Sequence, residues 1–300
     1  MDRFHQLQVY VAVAEEEGFA AAARRLRLSP PAVTRAVAAL EDRLGVKLLD
    51  RTTRYVRVTE PGRRYLEDAR QILAGVQTAD EAAAGINAAP RGHLAVTAPV
   101  IFGRLFVMPV IVEYLEHYPE MEVEAVFLDR VVSLMEEGLD VGVRIGELPD
   151  SSMRALRVGS VVRVLVASPA YLQRNGSPRI PEELREHSLI ESTAGDYGGG
   201  WRFGSDAGEY SLEVNARLKV TSNEAAISAT LTGFGIARLL SYQVASEVES
   251  GRLQLLLPEF DPAPYPVHIL HREGRHASVK VRAFIDLLAE RLRADGRVAG

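Results

Sequence analysis

The stretch that decides how this chain is built is RLSPPAVTRAVAALEDRLG, residues 27–45. Val33, Val37, Leu40 and Leu44 recur at i, i+4, i+7 and i+11, which puts one apolar stripe on a helix that Gly45 stops. A doubled proline stands at its start. The first four N–H groups of a helix have no partner inside it, so proline costs nothing there, and its fixed φ already suits the first turn. Ser29 and Pro30 both qualify as the cap, because a Pro-Pro pair biases Pro30 away from helical geometry, and Pro31 is helical either way. Thr34, Arg35 and Ala38 fall on the face opposite the stripe, where a recognition helix presents side chains to a major groove.

Working outward, Phe4, Leu7, Val11, Val13 and Ala14 lie at helical spacing up to Gly18, and a second helix begins near Phe19 through an alanine run that lets another helix pack close. Beyond Gly45, KLLDRTTRYVRVTEPG reads as two short extended runs about a polar turn, with Val56 and Val58 on one side and Tyr55 and Arg57 on the other, a hairpin or wing. From Thr59, a plausible N-cap with Pro61 in the first turn, a long helix carries Leu66, Ala69, Leu73, Val76, Asp80 and Ala83 at 3–4 spacing as far as Ala88. Its apolar stripe has two readings: pairing with a copy of itself, or packing on its own domain.

Charge separates this region from the rest. Arg24, Arg25, Arg27, Arg35, Arg43, Lys47, Arg51, Arg54 and Arg57 stand against Glu41, Asp42 and Asp50, a local excess of 9 − 3 = +6 in a chain whose net charge is −5. The remainder therefore sums to −11. A small module that meets a polyanion, joined to a body that does not, accounts for both signs.

After Gly92 the pattern changes to strands alternating with helices: HLAVTA, a helix to Tyr118, EVEAVFLD, a helix to Gly138, DVGVRIG and VRVLVASPAYL, and later SLEVNARLKVTS, a helix from Asn223 to Gly233, GIARLL, RLQLLL, PVHILH and a final amphipathic helix through Val281, Phe284, Leu288 and Leu292. Alternation of this kind implies parallel sheet.

Three hundred residues allow two cores or more. The absence of cysteine removes thiol nucleophiles, Cys-ligated zinc and iron–sulfur clusters. The N-terminus has no basic start leading into an apolar core, and no run reaches the length that spans a bilayer, so the expected location is the cytoplasm, away from membranes. His268, His271 and His276 do not read as a metal site, since His268 and His271 alternate to opposite faces of a strand with no carboxylate cluster beside them. GFGIAR imitates part of a dinucleotide fingerprint but lies where a helix returns to a strand. Without a triad, P-loop, metal or cofactor constellation, the expectation is a protein that is not an enzyme and needs no cofactor.

FHQLQVYVAVAEEEGFAAAARRLRLSPPAVTRAVAALEDRLGVKLLDRTTRYVRVTEPGRRYL, together with VTAPVIFGRL, EEGLDVGVRIGELPDSS and GFGIARLLSYQV, resembles the LysR-type transcriptional regulators across nearly the whole chain, and the C-terminal part resembles their CrgA-like subgroup. The resemblance implies a winged helix-turn-helix at 1–59, a linker and dimerisation helix at 60–89, and an effector-binding domain at 90–300. That domain would be a two-subdomain α/β fold like the type 2 periplasmic binding proteins, with subdomain I about 92–161 and 267–295, subdomain II about 162–266, and crossings near Val161–Ala167 and Tyr265–His268. Ser29, Pro30, Pro31, Thr34 and Arg35 would face the groove, while Arg51, Thr52 and Arg54 of the wing would meet phosphates or the minor groove. Many relatives carry glutamine where this chain has Pro30; an amide can hydrogen-bond a base edge, whereas proline offers only apolar contact.

Two stretches point to a ligand from their own chemistry. TAPV (97–100) and TSNEA (221–225) each follow a strand and open a helix, so their hydroxyls and unpaired N–H groups suit a carboxylate, and helix capping explains them equally well. With the resemblance, the effector contacts become Thr97, Ala98, Pro99, Val100, Leu128, Arg144, Thr193, Ser222 and Asn223; for Arg144 an interface salt bridge is the alternative. The expected protein is a homodimer or homotetramer that binds double-stranded DNA at an interrupted inverted repeat and responds to a small organic acid, with RNA polymerase as a further partner if it activates. An enzyme on a binding-protein scaffold and an architectural DNA protein without an effector are the competing classes.

Overall fold

The computed structural model describes residues 2–51, 56–84, 89–148, 154–194, 200–205, 208–261, 263–271 and 277–298. They belong to two compact units, Met1–Ala88 and Ala89–Gly300.

In the first unit, α1 (Arg3–Glu15), α2 (Phe19–Arg25) and α3 (Pro30–Leu44) precede β1 (Leu49–Arg51), β2 (Val56–Val58) and α4 (Glu60–Ala84). Val9, Tyr10 and Val13 of α1, Ala22 and Ala23 of α2 and Val33, Val37 and Leu40 of α3 meet in one core, on which Val56 and Val58 also pack. Alternation supplies the contact, since successive residues of a strand face opposite ways. Ser29 is the residue that precedes α3, and Pro30 is its first helical residue. Gly45 closes the helix in the left-handed region at φ 68°, where a side chain would be strained. Thr59 caps α4 as its sequence suggests: its Oγ1 accepts the Gly62 N–H at 3.0 Å.

The apolar stripe of α4 is divided. Tyr65, Leu66, Ala69 and Leu73 pack on Leu7 and Val11 of α1, so this half of the stripe serves its own unit. Ile72 and Val76 remain exposed, at 50% and 38%.

The second unit holds two mixed five-stranded sheets. Its elements run β3 (Gly92–Ala98), α5 (Val100–Phe102), a π-helical turn (Gly103–Val107), α6 (Met108–His117), β4 (Met121–Phe127), β5 (Val141–Ile145), β6 (Arg154–Val161), β7 (Arg163–Ala167), α7 (Pro169–Asn175), β8 (Leu189–Ser192), β9 (Trp201–Ser205), β10 (Gly208–Leu212), β11 (Leu218–Val220), α8 (Asn223–Leu231), β12 (Ile236–Leu240), α9 (Ser241–Glu249), β13 (Gln254–Leu256), β14 (Tyr265–His271) and α10 (Val279–Ala294). The first sheet has the order β4-β3-β5-β14-β6 and the second β11-β8-β12-β7-β13. The chain crosses between them at Val162 and returns between Leu256 and Tyr265.

Two expectations need correcting. The sheets are not wholly parallel: β3 runs parallel to β4 and β5, but β14 is antiparallel to β5 and β6, and β12 to β7. A strand that returns from the other subdomain arrives from the opposite end, and local alternation of strand and helix does not show this. Nor is there a helix ending at Gly138. Residues 129–139 form turns that bury Val132, Leu134 and Leu139 against Ala95 and Leu270, and this packing outweighs any local helical preference.

The two sides of the first sheet are lined differently. Leu94, Val96, Val141, Val143, Val267 and Ile269 share a core with Phe284 and Leu288 of α10 and Tyr114 of α6. On the other side lie Ala95, Leu134 and Leu270, and Thr97, Gly142, Arg144 and His268 fall on this side by strand alternation. Leu240 and Tyr242 of the second subdomain join the first core, and the Tyr242 ring meets Phe102 edge-on at 5.3 Å.

Candidate functional site

The first unit presents α3 outward. Ser29, Pro30, Pro31, Thr34 and Arg35 are all exposed. The Thr34 hydroxyl donates to Pro30 O at 3.0 Å, so its methyl and both lone pairs remain for a partner. Arg24, Arg27, Arg43 and Arg57 are exposed as well. Arg51 ends β1, its side chain outside the described residues; Thr52 and Arg54 lie wholly outside them. Among the described residues, two cations of the basic cluster are paired: Arg25 Nη1 reaches Glu15 at 2.8 Å and Glu16 at 3.3 Å, and Lys47 Nζ reaches Glu41 at 2.8 Å. Glu41 is already subtracted in the +6, so only the pairing of Arg25 with Glu15 and Glu16, which lie outside the counted stretch, lowers the charge that faces outward.

Glu41 is the residue here that sequence reading missed. Its side chain is 1% exposed, and its Oε1 accepts the N–H groups of Leu48 at 3.0 Å and Leu49 at 3.1 Å while Oε2 accepts Lys47 Nζ. Burial alone would raise its carboxyl, but the bonds from Lys47, Leu49 and Leu48 outweigh it and hold the group below the usual carboxylate range. Glu41 thus fixes the last turns of α3 to the first strand of the wing. Spacing does place position 41 beside the stripe, four residues after Val37, but a charged residue at the stripe's edge reads as surface until the strand that covers it is known.

In the second unit, Thr97 lies at the carboxyl end of β3 and pairs with Gly142 of β5. It is fully buried, and its Oγ1 has no hydrogen-bond partner among the described residues. A Cβ on Gly142 would lie 3.2 Å from Thr97 Cγ2 and 2.9 Å from Leu134 Cδ2, so only glycine leaves that space. Two residues further along β5, Arg144 shares the face. Its Nη2 donates to Val132 O at 2.8 Å and its Nη1 to Val143 O at 3.5 Å. No carboxylate pairs with it among the described residues, and burial pulls the guanidinium below its ordinary value, Glu137 opposing. His268 sits opposite Arg144 in the β14–β5 register.

Ala98, Pro99 and Val100 make the turn from β3 into the helix, and Leu128 N donates to Ala98 O at 2.9 Å. Pro99 has no side chain to cap that helix. The acceptor is Asp129, whose Oδ1 takes the Val100 N–H at 3.0 Å and whose Oδ2 takes Asn223 Nδ2 at 3.4 Å. Burial raises the Asp129 carboxyl above its ordinary value, the Val100 bond pulls it back, Glu224 pushes it up again and the Asn223 bond opposes. Asp129 was not among the expected site residues, because its partners are distant in the chain.

In the second subdomain the capping explanation holds for Ser222: its Oγ accepts the Ala225 N–H at 3.3 Å and donates to Glu224 at 3.1 Å. Thr193 is exposed at the end of β8, its hydroxyl donating to Val220 O at 3.2 Å. Thr97 and Arg144 therefore share one face of the first sheet. Asn223 is joined through Asp129 to Val100, where the chain leaves β3, while Thr193 and Ser222 spend their hydroxyls within the second subdomain.

A three-helix module with an exposed recognition helix and a wing, followed by a two-subdomain α/β unit with buried polar groups near the carboxyl ends of strands, defines a ligand-binding transcriptional regulator as the class of protein. The model of the bacterial regulatory helix-turn-helix proteins of the lysR family matches residues 4–63, and that of the LysR substrate-binding domain matches residues 87–293. The chain belongs to the LysR-type transcriptional regulators. It is 31% identical over 288 residues to the transcriptional regulator CrgA of Neisseria meningitidis serogroup C, covering 96% of each chain. The solved CrgA structure superposes with a TM-score of 0.61 at 29% identity, covering 95% of this chain and 97% of that one. The full-length Vibrio cholerae virulence activator AphB superposes with a TM-score of 0.61 at 26% identity over 96% and 99% of the respective chains. The relatives are regulators by name, and the chain is likewise a regulator rather than an enzyme.

Proposed function

We propose that this regulator binds a small organic acid in the second unit, beside Thr97 and Arg144, and that occupancy alters how its first unit engages an interrupted inverted repeat in double-stranded DNA. One observation carries the ligand class: a fully buried hydroxyl with no partner among the described residues and a half-buried guanidinium whose described partners are carbonyl oxygens lie on the same face of one sheet. Arginine bonds a carboxylate at two points, and the hydroxyl supplies a third donor, an arrangement that binds an anion without any group to transform it. The effector acts through its different affinity for two arrangements of the subdomains; tenfold in DNA affinity corresponds to about 1.4 kcal/mol of coupling, within reach of one desolvated carboxylate–arginine contact.

On this reading Ser29, Pro30, Pro31, Thr34 and Arg35 face the major groove and Arg51, Thr52 and Arg54 meet the backbone. The protein works in the cytoplasm as a homodimer or homotetramer, with Ile72 and Val76 of α4 as the exposed apolar positions nearest to hand for pairing. The test is calorimetry with a panel of carboxylic acids on the full chain. Thr97→Val and Arg144→Ala should abolish the heat of binding while ligand-free DNA affinity stays as it was; unchanged acid affinity in both variants would put the pocket elsewhere.

A further inference from the structure

Two further donors among the expected effector contacts, the Val100 N–H and the Asn223 amide, are already occupied by a carboxylate of the chain itself. Asp129, just beyond β4, places Oδ1 on the Val100 N–H at 3.0 Å and Oδ2 toward the Asn223 amide at 3.4 Å. Val100 opens the helical run that continues through the π turn to His117 in the first subdomain, and Asn223, itself 8% exposed, opens α8 in the second. Building on the effector reading above, we propose that Asp129 is an intramolecular stand-in for the effector's carboxylate: it ties the subdomains together in the unliganded protein, and an acid binds by displacing it.

Helix capping alone does not account for the arrangement. At α8 the acceptor for the Ala225 N–H is Ser222 Oγ, and Asn223 Nδ2, a donor that a helix N-terminus has no use for, reaches across to Asp129. The Val100 end takes its acceptor from a residue 29 positions away, although a serine or aspartate in place of Pro99 would supply one at no distance. Asp129 also shares the rim with Glu224, whose like charge opposes it. A carboxylate held half-buried beside another carboxylate is an expensive cap and a readily displaced one. The neighbouring Thr97 hydroxyl, three residues before Val100, is buried and has no hydrogen-bond partner among the described residues, so an entering carboxylate gains a donor that Asp129 leaves unused.

The experiment is hydrogen exchange read by mass spectrometry on the full chain, for wild type, Asp129→Ala and Asp129→Asn, with formate as the probe and chloride at matched ionic strength as its control. In Asp129→Ala, exchange over residues 100–107 and 223–231 should quicken about tenfold, the lower end for a hydrogen bond to a charged group. Formate, but not chloride, should restore the protection, because it refills the vacated donors; wild type should not respond at the same concentration. Asp129→Asn keeps an acceptor for Val100 but turns an amide toward Asn223, so it should loosen 223–231 more than 100–107, and it decides the matter if the alanine variant does not fold. Unaltered exchange in both variants, equal protection of wild type by formate, or restoration by chloride would overturn the proposal. The two readings fail separately: an acid response that depends on Thr97 with no change in Asp129→Ala removes the stand-in only. Formate rescue in a protein whose DNA binding no acid alters removes the effector reading.

Discussion

Replacing Glu41 should loosen the DNA-binding unit by an amount its geometry sets. Oε1 takes both backbone N–H groups, at 3.0 and 3.1 Å, and Oε2 takes Lys47, which is 69% exposed. The lysine contact is worth about 0–1 kcal/mol because solvent screens it. The two N–H groups each lose a charged acceptor in Glu41→Ala, roughly 1.5 kcal/mol apiece, for a total of about 3 kcal/mol. In a unit the size of Met1–Ala88 that corresponds to a fall in Tm of about 12–24 °C. Glu41→Gln keeps a carbonyl oxygen for the same two N–H groups but loses its charge and turns an amide toward Lys47, so its loss should be about half as large. Scanning calorimetry of the full chain checks the order wild type, glutamine, alanine. The pH dependence follows in sign. The folded-state carboxyl lies below the unfolded value, so its stabilisation is complete above about pH 4.3 and is lost as pH falls through the folded value. The alanine variant should lack that component. An alanine variant within 0.5 kcal/mol of wild type, against the ~3 expected for two lost charged acceptors, would refute the view that Glu41 fixes the wing to α3.

Other expectations concern DNA, assembly and the cleft. Arg35→Ala should cost about 1–3 kcal/mol on the preferred duplex and change which duplex is preferred, whereas Arg51→Ala should weaken all duplexes alike and lower the salt slope by about one unit; fluorescence anisotropy across a salt series separates the two. Glutamate at Ile72 and Val76 together should yield smaller oligomers in sedimentation, while Leu73→Glu should instead lower the melting temperature of the first unit, since Leu73 packs on α1. Gly142→Ala puts a methyl 2.9 Å from Leu134 Cδ2 and 3.2 Å from Thr97 Cγ2, which should destabilise the second unit by about 1–3 kcal/mol in denaturant titration.

The elements that sequence made plain are those whose pattern is local. The stripe through Val33, Val37, Leu40 and Leu44, the proline start and Gly45 locate α3 because each acts within one helix, and the Thr59 cap is legible for the same reason. What escaped depends on residues far apart. Glu41 is buried by the strand that follows it, and Asp129 finds partners 29 and 94 positions away. The direction of β14 could not be read from PVHILH, since a strand's pattern is the same whichever way it enters the sheet. The α4 stripe was visible, but its division between α1 and the exterior was not, because Leu73 and Val76 are equally apolar and only the position of α1 tells them apart.

The central claim is that a carboxylic acid held beside Thr97 and Arg144 changes how this chain holds DNA. Its most direct test is the affinity of the full chain for a duplex selected from random sequence, followed by anisotropy with and without each acid of a panel, in wild type and Thr97→Val. At least one acid should shift the apparent Kd of wild type by about tenfold, or 1.4 kcal/mol, and leave Thr97→Val unmoved. An equal shift in both proteins, or no shift with any acid, would contradict the account.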